Sequence, residues 1–182
     1  MTAHQVFLFE KSDLASRARL VLSRLPPLVS ISPIRVQRHP GLRDGHGPVH
    51  AGSFLRERRI AVDCRRDEFA RVFVHEVFHF AWLRLGNSRR RSFEALLSGE
   101  LDARARGELG WSAEWRKREL QPADVAGRSR SWREYCCESF CDSAAWLYSG
   151  LKRHPEFTLR GPFRTRRRQW FDQLTAGRAL SI

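Results

Sequence analysis

Near the middle of the chain stand His75-Glu76-Val77-Phe78-His79. In a helix, positions i and i+4 share a face, so two imidazoles at this spacing can converge on one metal ion. Glu76, beside the first histidine, can then face a water held by that ion. Zinc lowers the pKa of such a water towards ~7, and the carboxylate can take its proton. The surroundings suit this chemistry. Phe69, Val72, Phe73, Val74, Val77, Phe78, Phe80, Ala81, Trp82 and Leu83 cover nearly the whole circumference of a helix predicted over residues 67–85. A helix apolar all round belongs in a core. Three polar residues on it are costly to bury without partners, and a metal supplies the partner. The competing reading is a chance match, with two core histidines satisfied by carbonyls.

Catalytic zinc takes three protein ligands and keeps one position open. A long helix predicted over residues 131–148 carries Glu138-Ser139-Phe140-Cys141-Asp142. Glu138 and Asp142 share a face of it. Glu138 is the candidate third ligand. Asp142, one turn on, can accept the free ring N–H of a ligating histidine and so fix its tautomer. Glu134 lies on the same stripe, but Ser131-Trp132-Arg133-Glu134 reads as a capping box. Glu100, Glu108 and His154 are rival ligands. Glu108 leads them, because Gly107-Glu108-Leu109-Gly110 reads as a tight turn able to face the site. Tyr135, Tyr148, His154 and Arg160 are candidates for a second donor to an oxyanion. Cys136, Cys137 and Cys141 lack CxxC spacing and read as small apolar fillers. Trp111, Trp115, Trp132 and Trp146 read as core.

The combination of His75-Glu76-Val77-Phe78-His79 with Glu138 and Asp142 resembles the zincin metallopeptidases. It is most similar to the gluzincin kind, in which HExxH on one helix meets a Glu from an ExxxD or ExxAD pattern on a later helix. Small cytoplasmic peptidases of the ImmA/IrrE type share the modest size and the strand just before the active helix. The resemblance covers roughly residues 58–148 and implies zinc hydrolysis of a peptide bond. Zinc would be held by His75, His79 and Glu138, with Glu76 as general base and a protein or peptide as substrate. SprT-like proteases are a second resemblance, but their third ligand is typically a histidine, and none lies between His79 and His154.

Several elements must position these residues. Residues 6–9, 34–37 and 59–64 read as strands, the last able to pair with an extended substrate. Helices are predicted over residues 12–25, where Ser12 or Asp13 can cap and Pro26-Pro27 stops, then over 92–106, 112–120 and 163–174. Residues 39–52, with four glycines, two prolines and three histidines, read as a loop, and residues 127–130 as a connector. The expectation is one α+β domain over residues 1–182, mainly helical, with a small sheet packed on the HExxH helix.

Composition sets the remaining bounds. The 182 residues carry a formal net charge of +13, from 33 Lys+Arg against 20 Asp+Glu. The excess sits at the two ends, in residues 1–60 and in a basic segment 151–182, whose last helix reads as presenting Arg164, Arg166, Arg167 and Arg168 on one charged face. Such an excess attracts polyanions. It keeps open a nucleic-acid or acidic-protein contact, with zinc in a structural role or with a protease acting on DNA-bound proteins. No stretch approaches the ~18 apolar residues of a membrane span. The first residues lack the basic region and apolar block of a signal peptide. Four cysteines, three of them within six residues, do not make a disulfide framework. Together these point to a cytoplasmic protein.

Overall fold

The computed structural model describes residues 6–45 and 47–182. His46, part of the expected loop, lies outside the described residues, as do residues 1–5. The elements run β1 (Phe7–Phe9), α1 (Ser12–Leu22), β2 (Leu28–Val29), β3 (Ile34–Arg38), β4 (Arg43–Asp44), β5 (Gly47–Pro48), β6 (Ala51–Phe54) and β7 (Arg59–Val62). Then come α2 (Phe69–Arg84), α3 (Asn87–Asp102), α4 (Trp111–Glu119), α5 (Pro122–Gly127), α6 (Arg130–Tyr148), α7 (Gly161–Thr175) and β8 (Leu180–Ser181). The fold is α+β, mainly helical, with a small sheet against the HExxH helix α2, as the sequence pattern implies.

The main sheet has the order β1-β3-β7-β6. β1, β3 and β7 run parallel, and β6 is antiparallel to β7. Alternation buries Ile34 and Val36 of β3 and leaves Arg35 outside. α2 packs on β6 and β7 with one side and most extensively on α6 with another. The expected all-round burial holds except at Trp82, which is partly buried, and Leu83, which is half exposed. Between α2, α3, α6 and α7 lies an aromatic core. Phe140 stacks on Phe171 at 5.0 Å between centroids, and Phe78 and Phe93 close on both. Truncating one of these rings would remove about 3–5 kcal/mol.

Several short elements escaped the sequence. β4 and β5 form a hairpin inside the expected loop over residues 39–52. β2 and β8 pair in parallel, although 150 or so residues of chain lie between them. α5 is a two-turn helix. Pro122 starts it, and Gln121 and Asp124 exchange bonds in a capping box. The capping box expected at Ser131 is absent. Ser129 caps α6 instead, its hydroxyl accepting from the Trp132 amide at 3.2 Å. Glu134 pairs with Arg130 on the exposed surface at 2.6 Å. Neither Ser12 nor Asp13 caps α1, whose N-cap is Lys11. Beyond α6, the Thr158 and Leu159 amides both donate to the Glu108 carbonyl.

The strand expected to receive substrate is also corrected. β7 is hydrogen-bonded on both sides, to β3 and to β6, so it has no edge to offer. The edge strand on that side is β6.

The expected charged face of α7 is not one face. Arg167 is fully buried. Its guanidinium bonds Glu100 at 2.7 Å and Glu108 at 2.7 Å, tying α7 to α3 and to the turn before α4. The Tyr135 hydroxyl donates to Glu108 at 2.6 Å, and Lys117 lies 3.2 Å from it. Arg164 donates to the Leu159 and Phe157 carbonyls. Arg166 and Arg168 lie over the Phe163 and Trp146 rings. Among the described residues, no helix is long and apolar enough to cross a membrane.

Candidate metal centre

Helical spacing brings His75 and His79 to one face of α2, and Glu138 meets them from α6. His75 Nε2 lies 3.1 Å from His79 Nε2 and 3.2 Å from Glu138 Oε2. His79 Nε2 lies 4.0 Å from the same oxygen. Ligands at 2.0–2.1 Å in tetrahedral array stand about 3.3 Å apart, so the three donors need only small shifts to share a zinc ion. All three line an open groove of about 1120 Å³ between β6, α2, α4 and α6.

The far sides of both rings are held. His75 Nδ1 lies 2.8 Å from Asp142 Oδ1. The other oxygen of Asp142 accepts from the Ala113 amide at 3.1 Å. Gly110 makes this possible, because a Cβ there would overlap the Asp142 carboxylate. His79 Nδ1 lies 3.5 Å from Cys137 Sγ. Cys137, expected to be a filler, therefore touches the site. Only its i+58 relation to His79 in space could have shown this, and no local pattern carries that.

In the metal-free site the donors set one another's protonation. Burial alone would lower the His75 pKa, but the Asp142 and Glu138 carboxylates raise it well above the ordinary value. Burial likewise opposes the charged form of His79, yet Cys137 and Glu138 raise it to about 9. Burial works to raise the Glu138 pKa. Its bond to His75, with His79 and Arg116 nearby, overcomes that and lowers it to about 2. Glu138 is thus a carboxylate ready to ligate. A second set of donors shares the histidines: a ring nitrogen of each and Cys141 Sγ lie within 4.8 Å of one another. Cys141 is fully buried, and burial pushes its thiol well above the usual range. Cys141 does not line the groove. Glu138 does line it.

Glu76 lines the groove beside His75, and the Ser53 hydroxyl of β6 lies 2.5 Å from its Oε2. Ser53 is a residue the sequence did not single out. Arg116 is another. Its guanidinium lies 4.5 Å from the Trp115 ring centroid, donates to the Ser112 carbonyl at 2.9 Å and stands 3.6 Å from Glu138 Oε1. Among the described residues, the buried Arg116 Nε has no hydrogen-bond partner.

The rival ligands go elsewhere. Glu100 and Glu108 are spent on Arg167. The turn at Gly107–Gly110 does face the site, but through Gly110 and not Glu108. His154 bonds Glu68 at 3.1 Å. Tyr135 is buried against Glu108, and Tyr148 stacks on Phe78. Neither they nor His154 and Arg160 line the groove. Trp132 is core as expected, but Trp111 is 58% exposed, and Trp111 and Trp115 line the groove.

No family model, curated protein or solved structure matches the chain.

Proposed function

We propose that the chain is a zinc-dependent peptidase of the zincin kind, with His75, His79 and Glu138 as metal ligands. The observation that carries this is the convergence of two imidazole Nε2 atoms and one carboxylate oxygen within 3.1–4.0 Å, in an open groove, with the Glu76 carboxylate beside them. A structural zinc site would be closed, whereas this one opens to solvent. When bound, zinc acidifies a water and polarises the scissile carbonyl.

The chain's own groups supply the rest. Glu76 takes the proton of the attacking water and passes it to the leaving amine. Ser53 fixes the direction of that carboxylate. Asp142 holds His75 in the tautomer that leaves Nε2 free, and Cys137 stands in the same relation to His79. Arg116, held on Trp115, is the cation best placed to donate to the developing oxyanion. The free edge of β6 borders the groove, so an extended peptide can add to it as a strand. Backbone pairing of that kind is tolerant of substrate side chains.

The test is metal content with hydrolysis. Purified protein should hold about one zinc per chain, as a single site implies, and lose it in His75→Ala and His79→Ala. Glu76→Gln should keep the zinc and abolish cleavage of a peptide mixture followed by mass spectrometry. Stoichiometric zinc in the double histidine variant, or full turnover by Glu76→Gln, would refute the assignment.

A further inference from the structure

Past the first turn of α4 lies a second cavity, of about 480 Å³, which shares Trp111 and Glu156 with the groove. We infer that this cavity is a carboxylate-binding subsite for a peptide lying in the groove, a reading that deepens the peptidase proposal and rests on it.

The charges around the cavity do not balance. Its titratable lining is Arg106, Arg118, Arg160, Glu114 and Glu156. Glu156 already has its partners, Arg71 at 3.1 Å and the Trp111 amide at 2.7 Å. Glu114 has Arg118 at 2.8 Å through Oε1, while its buried Oε2 has no hydrogen-bond partner among the described residues. The guanidinium groups of Arg106 and Arg160 make no hydrogen bond or ion pair among the described residues. Two forks of donors are thus left over at one cavity. Such forks match a carboxylate in geometry as well as charge.

The wall between cavity and groove is Trp111, the most exposed of the large aromatic side chains. Its ring gives an apolar surface for the stem of a ligand whose charged end meets the arginines. α4 presents Trp115, Arg116 and Glu119 to the groove and Glu114 and Arg118 to the cavity. A peptide bound in the groove therefore reaches the cavity by passing Trp111. The carboxylate can belong to a Glu or Asp side chain or to the peptide's own C-terminus.

The test is binding of fluorescein-labelled octapeptides to the zinc-loaded full chain, read by anisotropy. One set scans a single Glu through an Ala/Gly/Phe peptide with an amidated C-terminus. A second set has Gln in place of Glu. A third keeps Gln but ends in a free carboxylate. Glu at one or two positions, or the free terminus, should tighten binding about tenfold over the neutral peptide, the scale of a charge-assisted pair. Arg106→Gln with Arg160→Gln should abolish that preference and leave the neutral peptide's affinity unchanged. Because a chain of net charge +13 attracts acids generally, Arg89→Gln with Arg91→Gln serves as the control. These exposed residues of α3 line neither cavity nor groove, and their removal should leave the preference intact. No preference at any position, no binding of any peptide, or a preference that survives Arg106→Gln with Arg160→Gln would overturn the subsite. Zinc content separates the two readings: a zinc-holding, cleaving chain without the preference loses the subsite alone, and a chain with the preference but no zinc loses the peptidase alone.

Discussion

The Ser53 hydroxyl lies 2.5 Å from Oε2 of Glu76, so the edge strand β6 holds the proposed general base of α2. The hydroxyl also reaches the Glu76 carbonyl at 2.8 Å. With one proton to give, it can lock the carboxylate or release it. Ser53→Ala should keep full zinc content and lower kcat by up to about 100-fold, the penalty for a misplaced catalytic group. KM should change little. Steady-state kinetics beside metal analysis reads this, and an unchanged kcat would remove Ser53 from the machinery.

Asp142 serves two masters, His75 and the first turn of α4. Asp142→Asn keeps an acceptor but not the charge. It should weaken zinc binding by about 10–100-fold, as loss of a partner behind a ligand does. Asp142→Ala should do the same and also lower the melting temperature, because the buried Ala113 amide loses its acceptor. Competition with a chromophoric chelator and a thermal melt separate the two effects.

Arg116→Gln should lower kcat by about 10²–10³-fold, the usual result of losing one oxyanion donor. Zinc content should stay whole, because Glu138 keeps both histidines as neighbours. Loss of zinc instead would mean that Arg116 matters only for the charge of Glu138.

Zinc must displace protons. In the metal-free protein His75 and His79 sit above their ordinary pKa, His79 at about 9. Protons held by this pair compete with the ion, so zinc affinity should rise with pH, and uptake should release protons. Calorimetry in buffers of different ionisation enthalpy should show that release shrink as pH rises through about 9. Stability has the opposite sign. Raised histidine pKa values stabilise the metal-free fold fully below about 6.5, and that stabilisation is lost as pH rises through the folded values. Metal-free protein should therefore soften in alkali where zinc-loaded protein does not, which chemical denaturation at pH 7 and 10 can compare.

Arg167→Met should destabilise the chain by about 3–5 kcal/mol in urea, because it strands Glu100 and Glu108 in the interior. Burial opposes ionisation of Glu108, yet Arg167 and Lys117 hold its pKa below the usual carboxylate range. A lowered pKa stabilises the fold above about 4.3 and is lost as pH falls through the folded value. Acid unfolding should thus begin below about pH 4 in the native chain, and part of that acid sensitivity should vanish when Arg167, Glu100 and Glu108 are all replaced by apolar residues.

The proposed catalytic helix was legible because HExxH sits in an unbroken apolar helix, and periodicity is a local property. Glu138 and Asp142 were legible for the same reason, being one turn apart on a second helix. What local pattern cannot carry is pairing across the chain. Ser53 is a lone polar residue in Ala51–Phe54 with nothing to distinguish it until β6 docks against α2. Arg167 reads as one more surface charge in Arg166-Arg167-Arg168, and only Glu100 and Glu108 make it a core residue. The edge role fell to β6 and not β7 because strand order is set by docking. The short pair β2 and β8 is beyond any window, its partners standing near opposite ends of the described chain.

The buried triad also orders events during folding. Glu100 and Glu108 precede Arg167 by some sixty residues, and a compact state made of the sheet and the earlier helices would trap two like charges with only Lys117, beside Glu108, to offset them. Those carboxylates must stay hydrated until α7 arrives, so the layer beneath the groove closes last. Contacts of such sequence separation slow the final step. A chain interrupted before α7 would then have a finished HExxH helix standing on an unfinished floor.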